Sequence, residues 1–393
     1  MLQPNDDIGR IGTESAFEVL ARAKHLEAQG RSIINLGIGQ PDFPTPAHIV
    51  EAAVKALRDG HHGYTPANGI PELRATVAAD VHRRLGAEVD PACVLIVPGG
   101  KVTMFFAVLM FGQPGVEILY PDPGFPIYGS VIAFSGAKGV PVPLYERNGF
   151  GFSAEDVLSR LTPATRLIIL NSPANPTGGV SDRAEVDKLV AGLRRHPEVA
   201  ILSDEIYGQM LYDGRDHVSL LHYPEIRERL ILLDGWSKTY AMTGWRLGYA
   251  IWPKALIDAA KRLAINCHSC VNAAAQYAGI AALTGPQQPV ADMVAAFAAR
   301  RRVVVDELNT IPGLSCIEPG GAFYAFPNIS GAGLPAKELE VKLLEEAGVA
   351  TIAGTSFGRQ GEGYLRLSYA NSTENIRTAM GRIRDWLAKR QAA

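Results

Sequence analysis

Five short apolar runs, each followed by a helical stretch, constrain this chain more than any other feature of its sequence. They cover residues 93–97, 116–120, 166–170, 199–203 and 230–233. Runs of this length bounded by turn signals read as buried strands. Strands that alternate with helices argue a mainly parallel sheet with helices on both faces. In such sheets ligands bind outside the carboxyl ends of the strands. Gly100, Phe125, Asn175, Asp204 and Lys238 each lie just past one of these runs. Five motif residues on one edge of a sheet describe one pocket.

The residue types narrow the chemistry. Lys238 stands among hydroxyl, small and aromatic residues in SKTYAMTGWRLGY, and Arg246 follows close before Gly248. A desolvated lysine loses basicity and can attack a carbonyl to form a Schiff base. An arginine with a planar fork of donors suits a phosphate. A carbonyl and a phosphate on one small molecule describe pyridoxal 5′-phosphate. The segment Pro98–Gly99–Gly100–Lys101 joins a strand to a helix start, so free backbone N–H groups and the helix dipole favour an anion there. It lacks Walker A spacing. Asp204 ends a buried strand and needs a cation, which a protonated pyridine nitrogen supplies. Tyr207, three residues on, can present its hydroxyl to the same ring.

The set of motifs, from INLGIGQPDFPTP near the N-terminus to YLRLSYANS near the C-terminus, resembles the class I and II aminotransferases, fold-type-I pyridoxal-phosphate enzymes. The resemblance implies an α/β fold with a mainly parallel seven-stranded sheet between helices, plus a smaller α/β domain. It implies a homodimer that transfers an amino group between an L-amino acid and a 2-oxo acid by a ping-pong mechanism. Lys238, Asp204 and Tyr207 are then the catalytic residues, with Lys238 as Schiff base and proton carrier. Gly100, Lys101, Phe125, Asn175, Ser237 and Arg246 complete the cofactor site, with Tyr64 reaching in from the partner subunit. Phe125 stacks on the ring and Asn175 bonds the phenolic oxygen. The resemblance also implies a cis Asn175–Pro176 bond, which the sequence alone makes uncommon. Gly39, Phe125, Asn175 and Arg366 are expected at the substrate, Arg366 as a bidentate clamp for the α-carboxylate.

Departures from the family pattern bear on substrate. Some relatives carry a phosphate-binding serine where this chain has Gly235, a role that Ser237 could take instead. Aspartate-specific relatives have tryptophan at Phe125. Lys101 points the other way, since several dicarboxylate-using relatives have lysine there. With its side chain free, Lys101 either pairs with a distal carboxylate or is a solvated residue at a helix start.

A chain of 393 residues exceeds one ordinary core. The expected division is an N-terminal arm and part of a small domain in 1–46, a large cofactor domain in 47–285, and a small domain in 286–393. Within the last, Arg366 alternates with apolar neighbours, so that it faces away from one core. A net charge of −2 gives no reason to expect nucleic acid or an anionic membrane as partner. The N-terminus carries acidic residues and no apolar signal segment, and a cytoplasmic location is expected. Cys267 and Cys270 flank His268, but no second Cys/His pair lies at finger spacing, so no metal is expected. A lyase or decarboxylase on the same fold is the nearest alternative. A non-enzymatic cofactor-sensing regulator would carry a DNA-binding domain, and a dinucleotide enzyme would need a G-x-G-x-x-G after a strand.

Overall fold

The computed structural model describes residues 2–3 and 5–391. In chain order, helix Ser15–Ala28 leads to a two-residue strand, β1 (Ile34–Asn35). Helices Ala47–Arg58 and Pro71–Leu85 follow, then the strands of the large sheet. These are β2 (Val94–Val97), β3 (Glu117–Asp122), β4 (Lys138–Pro143), β5 (Thr165–Asn171), β6 (Ala200–Asp204), β7 (Leu230–Gly235) and β8 (Gly248–Ile251). Their order across the sheet is β2-β8-β7-β6-β5-β3-β4. Only β8 runs antiparallel to its neighbours; the other pairings are parallel.

The apolar runs are continuous because both faces of the sheet are covered. Side chains alternate between two cores with the strand period of two. Ile168, Leu170, Ile201, Leu230 and Leu232 enter one core, while Leu167, Ile169, Leu202, Ile231 and Leu233 enter the other. Five of the seven strands fall on the apolar runs, each boundary within two residues. The other two are β4, whose pattern is diluted by Gly139, Pro141 and Pro143, and β8, which sits directly behind the lysine motif.

The long helix Gln288–Asn309 packs with β9 (Tyr324–Ala325) and the final helix Thr373–Gln391 around a third core. Residues 349–353 form two short strands. β10 (Val349–Ala350) pairs in parallel with β1, and β11 (Ile352–Ala353) pairs antiparallel with β12 (Leu365–Ser368). The chain crosses from one small sheet to the other at the buried Thr351. The helix from Ala336 is α-helical to Lys342 and then widens into a π-turn, Leu343–Ala347, closed by Gly348 at φ 70°. Helix Ser15–Ala28 lays Val19, Ala23 and Leu26 against Ala350, Ile352 and Phe357. Among the described residues no helix is long and apolar enough to cross a membrane.

Candidate active site

The carboxyl ends of the parallel strands open into a cavity of about 470 Å³. Every residue singled out above as a site residue lines it, Tyr64 excepted. Tyr64 is 94% exposed and lies elsewhere on this subunit.

Lys238 sits in the single helical turn Trp236–Thr239 that caps β7. Its Nζ donates to the Gly39 carbonyl at 2.6 Å. Burial, then the charges of Arg366, Lys101 and Arg246, press its pKa down to about 8, so a useful fraction is neutral near pH 7. Gly235 precedes it in extended backbone, packed on β8 so closely that an added Cβ would meet Gly248 Cα at 2.8 Å. A serine does not fit at that position here, whereas Ser237 lines the cavity.

Asp204 ends β6 and is buried. Tyr128 donates to its Oδ2 at 2.6 Å, and the Ile206 amide approaches Oδ1 at 3.3 Å. Among the described residues no basic side chain pairs with it. Burial pushes its pKa up to about 6, against the two hydrogen bonds and with the help of Asp234 and Glu205. A carboxylate in that setting lacks a cation.

The glycine segment forms a cradle. Gly99 has φ 92°, and a Cβ there would fall 2.0 Å from Arg246 Nη2. Arg246 itself is anchored by Thr243 O at 2.8 Å and Pro98 O at 3.3 Å. The amides of Gly100 and Lys101 open helix Lys101–Phe111 and donate to nothing among the described residues. Guanidinium, free amides and a helix N-terminus make an anion site.

Arg366 is 3% exposed, buried in its strand rather than set on a solvated face. Its guanidinium passes from β12 into the cavity, donating to Asn175 Oδ1 at 3.1 Å and to the Gly37 carbonyl. It stacks 4.8 Å from the centroids of Tyr324 and Phe357, and its Nε has no partner among the described residues. Asn175, with its oxygen engaged by Arg366, leaves its amide nitrogen as a free donor. The Asn175–Pro176 bond is cis.

Lys101 corrects the reading of a free side chain. Its ammonium is paired with Glu14, and lies 5.6 Å from the ring centroid of Phe17 and 5.5 Å from that of Phe125. Glu14, Phe17, Tyr128 and Tyr324 were not found from sequence. Tyr128 falls three residues after Phe125, but nothing local ties it to a carboxylate 76 positions away.

A buried carboxylate lacking a cation, a basicity-depressed lysine and an anion cradle fit pyridoxal phosphate. The chain matches aminotransferase class I and II over residues 31–383. It is 38% identical to the aspartate aminotransferase of Geobacillus stearothermophilus over 98% of both chains. It is 38% identical to aromatic-amino-acid aminotransferase 2 of Thermococcus litoralis over 93% of this chain and 94% of that one. The solved aspartate aminotransferase of Rhizobium meliloti superposes with a TM-score of 0.94 at 34% identity, covering 99% of each chain. The chain belongs to the class I and II aminotransferases. It is a pyridoxal-phosphate-dependent aminotransferase of fold type I, and these relatives do not favour a lyase or decarboxylase.

Proposed function

We propose that this aminotransferase exchanges amino groups between dicarboxylic partners, aspartate or glutamate and their 2-oxo acids. The observation that carries this reading is the charge of the cavity. Lys101, Lys238, Arg246 and Arg366 face only two carboxylates, Glu14 and Asp204. Arg246 answers a cofactor phosphate and Arg366 a substrate α-carboxylate. Lys101 is left for a second carboxylate, which would take the place of Glu14. The name of the Geobacillus relative supports the same substrate class.

The bound cofactor supplies a carbonyl carbon for Lys238 and a ring that takes up negative charge. The chain's own residues do the rest. Arg366 fixes the substrate carboxylate with two parallel donors, beside the backbone of Gly39. Lys238 Nζ takes the proton from the substrate α-carbon and redelivers it as acid. Asp204 would hold the proton on the ring nitrogen. The Asn175 amide and Tyr207 hydroxyl would donate to the phenolic oxygen. Phe125 would lie against the ring, and Gly100, the Lys101 amide, Ser237 and Arg246 would hold the phosphate.

A second reading, aromatic donors, draws on the Phe17 and Phe125 rings beside Lys101 and on the Thermococcus relative's name. A donor-by-acceptor activity screen decides between them. Aspartate or glutamate should lead, and a screen led by phenylalanine and tyrosine would replace the first reading with the second.

We also infer a homodimer in which Tyr64 completes the partner's phosphate site. Its near-complete exposure in one subunit supports this. Mixed dimers of Lys238→Ala with Tyr64→Ala subunits should regain one working site. No regain between exchanging subunits would confine Tyr64 to its own surface. The division into 47–285 against 1–46 plus 286–393 is part of the same reading. The pairing of β1 with β10 supports it.

A further inference from the structure

Tyr324 belongs to no motif that pointed to this cavity, yet three separate contacts converge on it. Its hydroxyl lies 2.7 Å from that of Tyr207. Its ring lies 4.8 Å beneath the Arg366 guanidinium. A Cβ on Gly39 would fall 2.3 Å from its hydroxyl oxygen, so Tyr324 is also the reason that position 39 has no side chain. The residue is 1% exposed, on β9, and its backbone is registered opposite Ser368 at the end of the strand that carries Arg366.

We propose that Tyr324 is a positioning residue that ties the substrate clamp to the cofactor's phenolic oxygen, acting through Arg366 on one side and Tyr207 on the other. The inference rests on the roles assigned above to Tyr207 and Arg366. The hydroxyl pair holds two protons and uses one between its oxygens. With Tyr324 as donor, Tyr207 accepts and keeps its own proton for the phenolic oxygen. Without that donor, Tyr207 has no partner that fixes its torsion, and its bond to the phenolic oxygen weakens. The ring acts separately. It gives Arg366 a flat aromatic face, which holds the guanidinium plane while its donors turn to a carboxylate.

The two functions separate by substitution. Tyr324→Phe keeps the ring and removes the hydroxyl, and Tyr324→Leu removes both. A donor at the phenolic oxygen withdraws the negative charge that holds a proton on the adjacent Lys238 nitrogen. Weakening that donor raises the pH midpoint of the holoenzyme's visible absorption change. Tyr324→Phe should raise the midpoint by about half a pH unit, and Tyr207→Phe by more. KM for the amino donor should move less than about twofold in Tyr324→Phe and rise about tenfold in Tyr324→Leu. In cofactor-free protein, Gly39→Ala should lower the melting temperature less in a Tyr324→Phe background than in wild type, because the obstructing oxygen is gone.

If Tyr207→Phe moves the midpoint and Tyr324→Phe does not, the proposal falls while the role of Tyr207 stands. If neither moves it, Tyr207 does not serve the phenolic oxygen and both fail. Equal KM values in Tyr324→Phe and Tyr324→Leu would overturn the link to Arg366. Melting curves of the cofactor-free variants separate these results from misfolding.

Discussion

Asp204 and Glu205 are adjacent, both buried, and belong to regions that treat charge in opposite ways. Outside the cavity, the buried carboxylates Glu205 and Asp234 each have three hydrogen-bond partners. Glu205 accepts from His217 at 2.6 Å, Ser203 at 2.8 Å and the Leu220 amide at 3.2 Å. Asp234 accepts from the Gly235 amide at 2.7 Å, Tyr249 at 3.0 Å and Arg84 at 3.3 Å. Inside the cavity Asp204 has a neutral hydroxyl and one long amide contact. Burial acts on both neighbours, but the His217 charge and the hydrogen bonds outweigh it at Glu205 and hold that carboxyl below its ordinary range, whereas Asp204 rises to about 6. A fold that can satisfy a buried charge and leaves one unsatisfied is holding it for a ligand.

The contrast predicts that charges facing the cavity carry chemistry and those behind it carry stability. Lys238→Ala gives the largest effect. Turnover should fall by at least about 10⁴-fold, since nucleophile and proton carrier are lost together. The mass increment that borohydride fixes on the protein in the presence of cofactor should vanish. Normal turnover, or an undiminished increment, would remove Lys238 from its role.

Asp204→Asn and Glu205→Gln test the contrast side by side. Asp204→Asn keeps the shape and loses the charge that balances the ring nitrogen. A transition-state loss of about 2–4 kcal/mol lowers the single-turnover rate by about 10²–10³. Glu205→Gln should leave that rate within a few-fold and instead destabilise the protein by about 3 kcal/mol, because His217 is left buried without its partner. If both variants lose rate equally, the two regions are not distinct.

The same pair should differ in the sign of its pH dependence. Asp204 has a raised pKa in the fold, so its stability contribution is intact below its ordinary 3.8 and is lost as pH rises through about 6. In cofactor-free protein, Asp204→Asn should therefore gain on wild type between pH 4 and pH 7, by up to about 3 kcal/mol. Glu205 has a lowered pKa, so its contribution is present above its ordinary 4.5 and is lost as pH falls through the folded value. Glu205→Gln should accordingly lose most at neutral pH. Urea melts at several pH values read both, and parallel curves for the two variants would refute the contrast.

The two regions also differ in how much of them the sequence exposes. The cavity's large-sheet edge was legible because each strand end carries its residue with it. Asp204 closes β6, Lys238 follows β7, and Asn175 follows β5, so local order is spatial order. The other wall was legible only through the family resemblance, which placed Gly39 and Arg366 there; no local pattern marks it. Arg366 lies in an apolar strand, and nothing in its neighbourhood says that the strand meets Asn175 from 191 positions away. Glu14 and Tyr324 reach the cavity only through the packing of helix Ser15–Ala28 and of β9, which no short-range pattern records. Lys101 was read as free for the same reason, because its partner arrives from 87 residues away.

The smallest predicted effect lies on that second wall. Lys101 shares its ammonium with Glu14 and with two aromatic faces, and the Lys101 side chain is 38% exposed. An exposed pair contributes less than about 1 kcal/mol, and a partly desolvated one more. A substrate's distal carboxylate therefore gains only the difference between itself and Glu14. Lys101→Ala should lower kcat/KM for aspartate, glutamate or 2-oxoglutarate by about tenfold and leave alanine and pyruvate nearly unchanged. Glu14→Gln removes the competing carboxylate and should act in the opposite direction by a smaller factor. Equal losses for acidic and neutral substrates would make Lys101 part of the phosphate cradle alone. The unsatisfied charge of this wall would then reduce to Arg366, and the charge contrast would hold for one face of the cavity rather than for the whole of it.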